Sequence, residues 1–356
     1  MPIVTQNLRV TQMQELTTPA DLRAKVPLTD AISQTVQGGR SAIQRILKGE
    51  DDRVIAVTGP CSIHDPKAAL EYARKLQALR VELADTVEIV MRVYFEKPRT
   101  IGGWKGLIND PRLDGSFAIN EGLLAARELL AQINEMGLPV GTEFLDTAVP
   151  QYVVDMVSWA AIGARTTESQ IHREMASGLS CPVGFKNGTR GNIQIALDAV
   201  RSSAQPHHFM GLSESGQAAI VGTQGNPDCH VILRGGAGTN YDEASVDKLC
   251  YKAEQDGVRP QVMIDASHAN SGKDPERQPD VLSNVGDQIA RGDQRITGVM
   301  IESNLVAGAQ KLGTKPLVYG QSVTDGCIGW AQTEDVLREL SQNVRKRRAG
   351  ALRQAS

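Results

Sequence analysis

The chain has 356 residues, 41% of them hydrophobic and 22% charged, with a formal net charge of -3. That balance suits a soluble globular protein with a sizeable core, as two domains or as one α/β barrel with extensions. It argues against a nucleic-acid binder, and no apolar run is long enough to span a bilayer, so neither nucleic acid nor a membrane is expected as a partner.

Met1-Pro2-Ile3-Val4-Thr5-Gln6-Asn7 lacks the basic-then-apolar order of a signal peptide. The five cysteines, Cys61, Cys181, Cys229, Cys250 and Cys327, are odd in number and irregularly spaced. That disfavours a disulfide framework or a zinc ribbon and suits a reducing cytoplasm. Residues 1–50 carry no strand-like run and close on a polar helical stretch. They are expected to form an N-terminal extension that wraps the body or a partner subunit.

From Val54 onward, apolar runs alternate with amphipathic helical patterns. The runs fall at 54–58, 87–93, 140–145, 161–165, 182–186, 207–212, 230–234, 262–266 and 297–302. They are short and do not alternate, as suits strands buried on both faces. The β-then-α rhythm implies right-handed crossovers and a parallel sheet. Asp65-Pro66 offers an N-cap and a proline at the first helical position. Ala69, Leu70, Ala73, Leu76 and Leu79 then recur at helical spacing. A second helix, Ile119 to Met136, stops at Gly137 with Pro139 just beyond. A TIM barrel needs eight strands, one fewer than the nine runs. The stretch 207–222, with Ala218-Ala219-Ile220-Val221 as a further short run, predicts an inserted hairpin, and the pattern leaves open which run is the extra one. The expected organisation is an extension over 1–50, a barrel with its hairpin over 51–345, and a basic tail over 346–356. Arg345-Lys346-Arg347-Arg348 reads as a solvated helix end that complements the macrodipole.

Four runs each lead into a potential metal ligand: Cys61 in Gly59-Pro60-Cys61-Ser62-Ile63-His64-Asp65, His268 in Asp265-Ala266-Ser267-His268, Glu302 after Gly298-Val299-Met300-Ile301, and Asp325 in Ser322-Val323-Thr324-Asp325. Cys61 lies between a Gly-Pro turn and a helix start, a setting that lowers a thiol pKa. A carboxylate directly after an apolar strand is costly unless it has a partner. The mixed S/N/O set predicts one catalytic transition-metal site at a barrel mouth, without selecting the metal. Arg92, Lys97, Arg99, Arg165, Lys186 and Arg234 sit within or just past other runs. Such cations suit a phosphorylated substrate, the alternative being pairing with barrel carboxylates such as Glu143. Lys97-Pro98-Arg99-Thr100 leads into Gly102-Gly103-Trp104-Lys105-Gly106, which is not a phosphate-binding P-loop.

These segments resemble the type I 3-deoxy-D-arabino-heptulosonate 7-phosphate (DAHP) synthases across residues 5–345. The matching stretches are Gly59–Asp65, Met91–Thr100 with Gly103–Ile108, Gly163–Glu174, Pro182–Thr189, Leu233–Gly236, Asp265–Asn270 and Thr324–Trp330. The resemblance implies a (β/α)8 barrel that condenses phosphoenolpyruvate with erythrose 4-phosphate and water, releasing DAHP and phosphate at the start of the shikimate pathway. It implies Cys61, His268, Glu302 and Asp325 as ligands of one divalent metal (Mn, Fe, Co or Zn). Arg92, Lys97, Ala164 through its backbone, Arg165, Lys186 and Arg234 match the phosphoenolpyruvate site. Lys97, Pro98, Arg99 and Thr100 match the erythrose 4-phosphate site. Lys97, His268 and Cys61 are the catalytic candidates, and the choice of proton carrier stays open.

Members of this family are feedback-inhibited by an aromatic amino acid. Their effector pocket maps to Gln151, Leu179, Ser180, Phe209, Gly211 and Val221. Phenylalanine-sensitive relatives tend to carry serine where Gly211 stands, and tyrosine-sensitive ones glycine, so tyrosine is the expected effector. Gln6-Asn7 replaces acidic residues of some relatives at this pocket. A homodimer or homotetramer is implied. The rivals are a 3-deoxy-octulosonate 8-phosphate synthase, a non-catalytic amino-acid sensor and a metal-dependent aldolase. The extension and Lys97–Thr100 oppose the first, the intact ligand and cation sets the second, and the number of cations the third.

Overall fold

The computed structural model of the chain describes residues 5–313 and 316–354. Two helices, α1 (Pro19–Lys25) and α2 (Asp30–Lys48), precede the barrel. Strand β1 (Val54–Gly59) is followed by α3 (Pro66–Leu83), β2 (Val87–Arg92), α4 (Ile119–Glu135), β3 (Val140–Glu143) and the short α5 (Pro150–Val153). Then come β4 (Trp159–Ile162), α6 (Gln170–Ser177), β5 (Val183–Lys186) and α7 (Gln194–Ser203). An antiparallel ribbon, β6 (His208–Leu212) and β7 (Ala218–Gly222), interrupts the rhythm before β8 (Cys229–Leu233), α8 (Glu243–Gln255), β9 (Val262–Asp265), α9 (Gln278–Ala290) and β10 (Ile296–Glu302). A short parallel pair, β11 (Val306–Ala309) and β12 (Gln321–Ser322), leads to α10 (Trp330–Gln354). Strands β1–β5 and β8–β10 close into one parallel barrel, β10 pairing back onto β1, so the fold is a (β/α)8 barrel.

The run outside the barrel is 207–212. Its residues alternate between exposed and half-buried, the signature of a ribbon with one wet face. The run at 161–165 is displaced: β4 begins at Trp159 and ends at Ile162, so Gly163, Ala164 and Arg165 lie in the turn beyond it. The Trp159-Ala160-Ala161 segment lacks β-branched residues, which hides its strand character from a propensity reading. Trp159 is buried in the barrel interior, and bare glycines make room for it. A Cβ at Gly141 would lie 2.9 Å from the indole, and one at Gly184 2.8 Å from it.

The helical stretch of the extension is not polar all round. Helix α2 buries Ile43, Ile46 and Leu47 in one cluster with Ile55, Val57, Val90, Trp159 and Met300. Arg40 donates to the Val154 and Val157 carbonyls, and Gln44 to Asp228, residues that lie just before β4 and β8. The helix therefore plugs the N-terminal end of the barrel. Each of the three apolar side chains contributes about 1.5–3 kcal/mol by burial. Asp65 caps α3 by accepting from Lys67 N and Ala68 N, and Gly137 (φ 79°) terminates α4. Position 346 is no boundary, because α10 runs through it. Arg347 is buried and donates to the Asp52 carbonyl, while Arg348 pairs with Asp52 at 2.7 Å and Asp85 at 3.0 Å. The expected solvated helix end is thus half wrong, because acids preceding β1 and β2 receive it. Among the described residues, no helix is long and apolar enough to cross a membrane.

Candidate active site

The C-terminal strand ends open into a cavity of about 420 Å³. It is lined by Arg92, Lys97, Pro98, Arg99, Glu143, Ala164, Arg165, Lys186, Arg234, His268, Glu302 and Asp325, among others. Site residues at this face of a barrel come from separate strands and meet only through closure. A Cys61 sulfur, a Glu302 oxygen and an Asp325 oxygen all lie within 4.8 Å of one another. His268 Nε2 is 4.0 Å from Glu302 Oε1. Its Nδ1 faces Asp265 Oδ2 at 2.9 Å and Ser267 Oγ at 2.7 Å, which aims Nε2 at the other donors. A carboxylate behind a histidine is the usual support for an imidazole that ligates through its other nitrogen. His268 itself is held at φ 57°, a left-handed conformation that non-glycine residues adopt at a cost, here beside the cavity. The thiol and two carboxylates that meet here, with the His268 imidazole beside Glu302, come from the ends of β1, β9 and β10 and from the loop after β12 outside the barrel, and this donor set fits a divalent transition metal.

The electrostatics differ from the sequence expectation at Cys61. The side chain is fully buried, four residues before the helix cap, and burial together with the Glu302 carboxylate pushes the thiol up despite the Lys97 ammonium. Lys97 Nζ lies 3.0 Å from Cys61 Sγ and 3.9 Å from Asp325 Oδ2. Burial opposes the Lys97 charge, but Cys61 and Glu302 outweigh it and hold the ammonium above its ordinary range. Burial would likewise raise Asp265, yet His268 and Lys186 hold it well below the usual carboxylate range.

The cations divide into two groups. Arg92 is fully engaged: its Nη2 donates to Glu302 Oε1 at 2.9 Å, its Nε to the Pro60 carbonyl at 3.1 Å, and its guanidinium stacks 3.6 Å over the Tyr94 ring. Lys186 pairs with Asp265 at 3.2 Å and more distantly with Glu143 at 3.9 Å, so part of the carboxylate-pairing alternative holds. Arg165 and Arg234 line the same wall with no carboxylate in ion-pair range among the described residues. Burial, with Arg165 adding to it, lowers the Arg234 pKa. Two neighbouring guanidiniums without an acid between them make a site that attracts a multiply charged anion.

Of residues 97–100, Lys97, Pro98 and Arg99 line the cavity. Thr100 is exposed and is not among the lining residues, and Arg99 Nε is tied to the Trp104 carbonyl at 2.8 Å. Phe209, Gly211 and Val221 share the half-buried face of the ribbon, with Phe209 paired to Val221 and Gly211 to Ala219. Leu179 is joined to the chain beyond the ribbon through Asn226, and Ser180 is exposed. The Gln151 carbonyl accepts from Arg23, which also binds Glu214 at the ribbon turn. Asp265 and Gln278 also shape the site and are missed by the sequence reading, which names Glu143 only as a pairing carboxylate. Asp265 carries a readable signal, an acid closing the apolar run Val262-Met263-Ile264. Gln278, at the start of a helix, carries none.

The model of the DAHP synthetase I family matches residues 25–338. The chain is 56% identical over 343 residues to the Phe-sensitive phospho-2-dehydro-3-deoxyheptonate aldolase of Escherichia coli K12, covering 96% of this chain and 98% of that relative. It is 53% identical over 340 residues to the Tyr-sensitive enzyme of the same strain, covering 95% and 96%. The solved structure of phospho-2-dehydro-3-deoxyheptonate aldolase from Francisella tularensis SCHU S4 matches with a TM-score of 0.94 at 50% identity, covering 95% of this chain and 99% of that one.

Proposed function

The chain belongs to the DAHP synthetase I family, and on that footing we propose that its barrel mouth condenses phosphoenolpyruvate with erythrose 4-phosphate and water, giving DAHP and phosphate. The enzyme is a transferase of aromatic biosynthesis. The observation that carries the site assignment is the pairing, in one cavity, of a sulfur and oxygen donor group flanked by the His268 imidazole with two arginines that have no acid in ion-pair range among the described residues.

In this reading Arg165, Lys186 and Arg234 hold the phosphoenolpyruvate phosphate, with the Ala164 backbone beside them, and Arg92 and Lys97 orient the carboxylate. Lys97, Pro98 and Arg99 receive the aldose phosphate, with Thr100 at its outer edge. A divalent metal held by Cys61, His268, Glu302 and Asp325 supplies Lewis acidity toward the aldehyde oxygen. The cations keep two mutually repelling substrates in register. C3 of phosphoenolpyruvate attacks the aldehyde carbon, and the protonated Lys97 Nζ delivers the proton that the new hydroxyl needs. Water adds at C2 and gives up a proton that restores the Lys97 ammonium, and the C2–O bond then breaks as the hemiketal hydroxyl proton leaves with the phosphate. Removing Arg165 or Lys186 deletes a charge-assisted contact worth ~1.5–3 kcal/mol. R165A and K186A should each lower kcat/KM for phosphoenolpyruvate by roughly 10- to 100-fold. Near-normal kinetics in both would remove the phosphate assignment.

The effector is proposed to be tyrosine, on the strength of Gly211. A Cβ there would lie 2.8 Å from Val221 Cγ2, so a side chain at this position would crowd the half-buried face. Tyrosine should inhibit at lower concentration than phenylalanine or tryptophan, and the reverse order in the same assay removes this assignment. The metal is taken from Mn, Fe, Co or Zn, and the cytoplasm is the proposed compartment. A homodimer or homotetramer is supported by apolar side chains left exposed on the extension and ribbon: Leu8, Met13, Met210 and Ile220.

A further inference from the structure

Strand β9 stops pairing with β10 one residue before the site begins. Met300 is opposite Asp265, and Ala266 N donates to the Met300 carbonyl at 2.9 Å. Beyond Ala266 the β9 chain turns away to bring Ser267 and His268 to the cavity. In a strand the backbone groups of alternate residues face the same neighbour, so Glu302, like Met300, directs its N–H and C=O toward the side that β9 has left. On the opposite side pairing continues, with Ser303 N donating to the Gly59 carbonyl at 2.9 Å.

The gap is filled by a side chain. Gln278, the first residue of α9 and fully buried, accepts from Glu302 N through Oε1 at 2.9 Å and donates to the Glu302 carbonyl through Nε2 at 2.9 Å. The carbonyl also accepts from Ile328 N at 3.0 Å. The amide thus takes the Glu302 N–H and shares its carbonyl with Ile328 N, where an isolated parallel bridge of Ser303 to Ile328 begins, at the residue whose carboxylate meets Arg92 and lies among the proposed donors. An amide carries one acceptor and two donors in a fixed plane, so it matches a peptide unit as no other side chain except asparagine does. Glutamate keeps the acceptor and loses the donor when ionised.

We propose that Gln278 is a positioning residue for the metal centre, setting the rotation of the Glu302 peptide and hence the aim of its carboxylate. This rests on the reading of Glu302 as a metal ligand. Groups that orient a ligand from behind typically affect metal affinity or activity by about 10- to 100-fold when removed.

The test measures Mn²⁺ affinity of the metal-stripped full-length protein by competition with a chromophoric chelator, alongside the thermal midpoint. Q278M keeps volume and loses both hydrogen bonds. V285A opens a cavity in the same helix, in the buried core away from Glu302. The expected result is a Kd about 10- to 100-fold weaker in Q278M, with V285A lowering the midpoint and leaving the Kd within about twofold. An unchanged Kd in Q278M, or an equal loss in V285A, overturns the proposal. If Q278M does not fold, Q278E is compared in its place at neutral pH, and the same two outcomes decide. Failure of the underlying reading is distinguishable, because the wild-type protein would then bind no Mn²⁺ stoichiometrically.

Discussion

At the scale of the residue, the site depends on which charges have partners. Half-buried His268 and buried Asp265 and Lys186 form a chain, while among the described residues Arg165 and Arg234 face the cavity with no acid in ion-pair range. Glu96 is buried, and among the described residues its oxygens accept only the Leu145 and Asp146 backbone N–H groups, at 3.3 and 3.1 Å. Burial outweighs those bonds and pushes its pKa up to about 8 from an ordinary 4.5. The folded state therefore holds a proton that the unfolded chain releases, and this group's contribution to stability is lost as pH rises from 4.5 through about 8. E96Q cannot titrate. Its stability relative to wild type, from urea denaturation, should improve steadily across that window, and a pH-independent difference would show that Glu96 is ionised in the fold. Cys61, His268 and Glu302 are legible in the sequence because each follows an apolar run, where an acid or imidazole without a partner is costly, whereas Asp325 follows only the polar pair of β12. The Cys61 thiol is misjudged from sequence because burial and two acids, invisible in the local motif, outweigh the helix start.

At the scale of the element, the strand runs are easy to find and their ends are not. Strand β4 starts on a tryptophan and two alanines, so its register slips by two residues in a propensity reading. The helical stretch that closes the extension is legible, but the plugging face of α2 is missed because it serves the barrel interior, contributed by strands far along the chain. Two neighbouring glycines in it report its docking. A Cβ added at Gly38 would meet nothing within 4 Å, whereas at Gly39 it would lie 2.8 Å from both Pro139 and Ser158 side-chain atoms. G38A should raise stability by ~0.5–1 kcal/mol through helix propensity. G39A should lower it by ~1–3 kcal/mol through overpacking against the chain before β3 and β4. Equal effects of the same sign in chemical denaturation would mean that α2 does not seat against the barrel floor.

At the scale of the whole molecule, one closed sheet separates stability from chemistry. The N-terminal end is sealed by α2 and clamped by Arg348, and the C-terminal end gathers donors and cations from separate strands. The rhythm of runs makes the barrel readable in the sequence. The tertiary substitutes, such as an amide standing in for a strand at Glu302, are not readable, because they exist only once the barrel has closed. The joining of two phosphorylated substrates at this mouth, with metal assistance, is the step on which the proposed function depends. Its most direct measurement is DAHP and phosphate formation by metal-stripped protein given phosphoenolpyruvate and erythrose 4-phosphate, before and after Mn²⁺ is added, with arabinose 5-phosphate as the alternative aldose. Turnover is expected only with metal, and with erythrose 4-phosphate strongly preferred. Turnover unaffected by metal removal, preference for arabinose 5-phosphate, or no product with any of Mn, Fe, Co or Zn would contradict it.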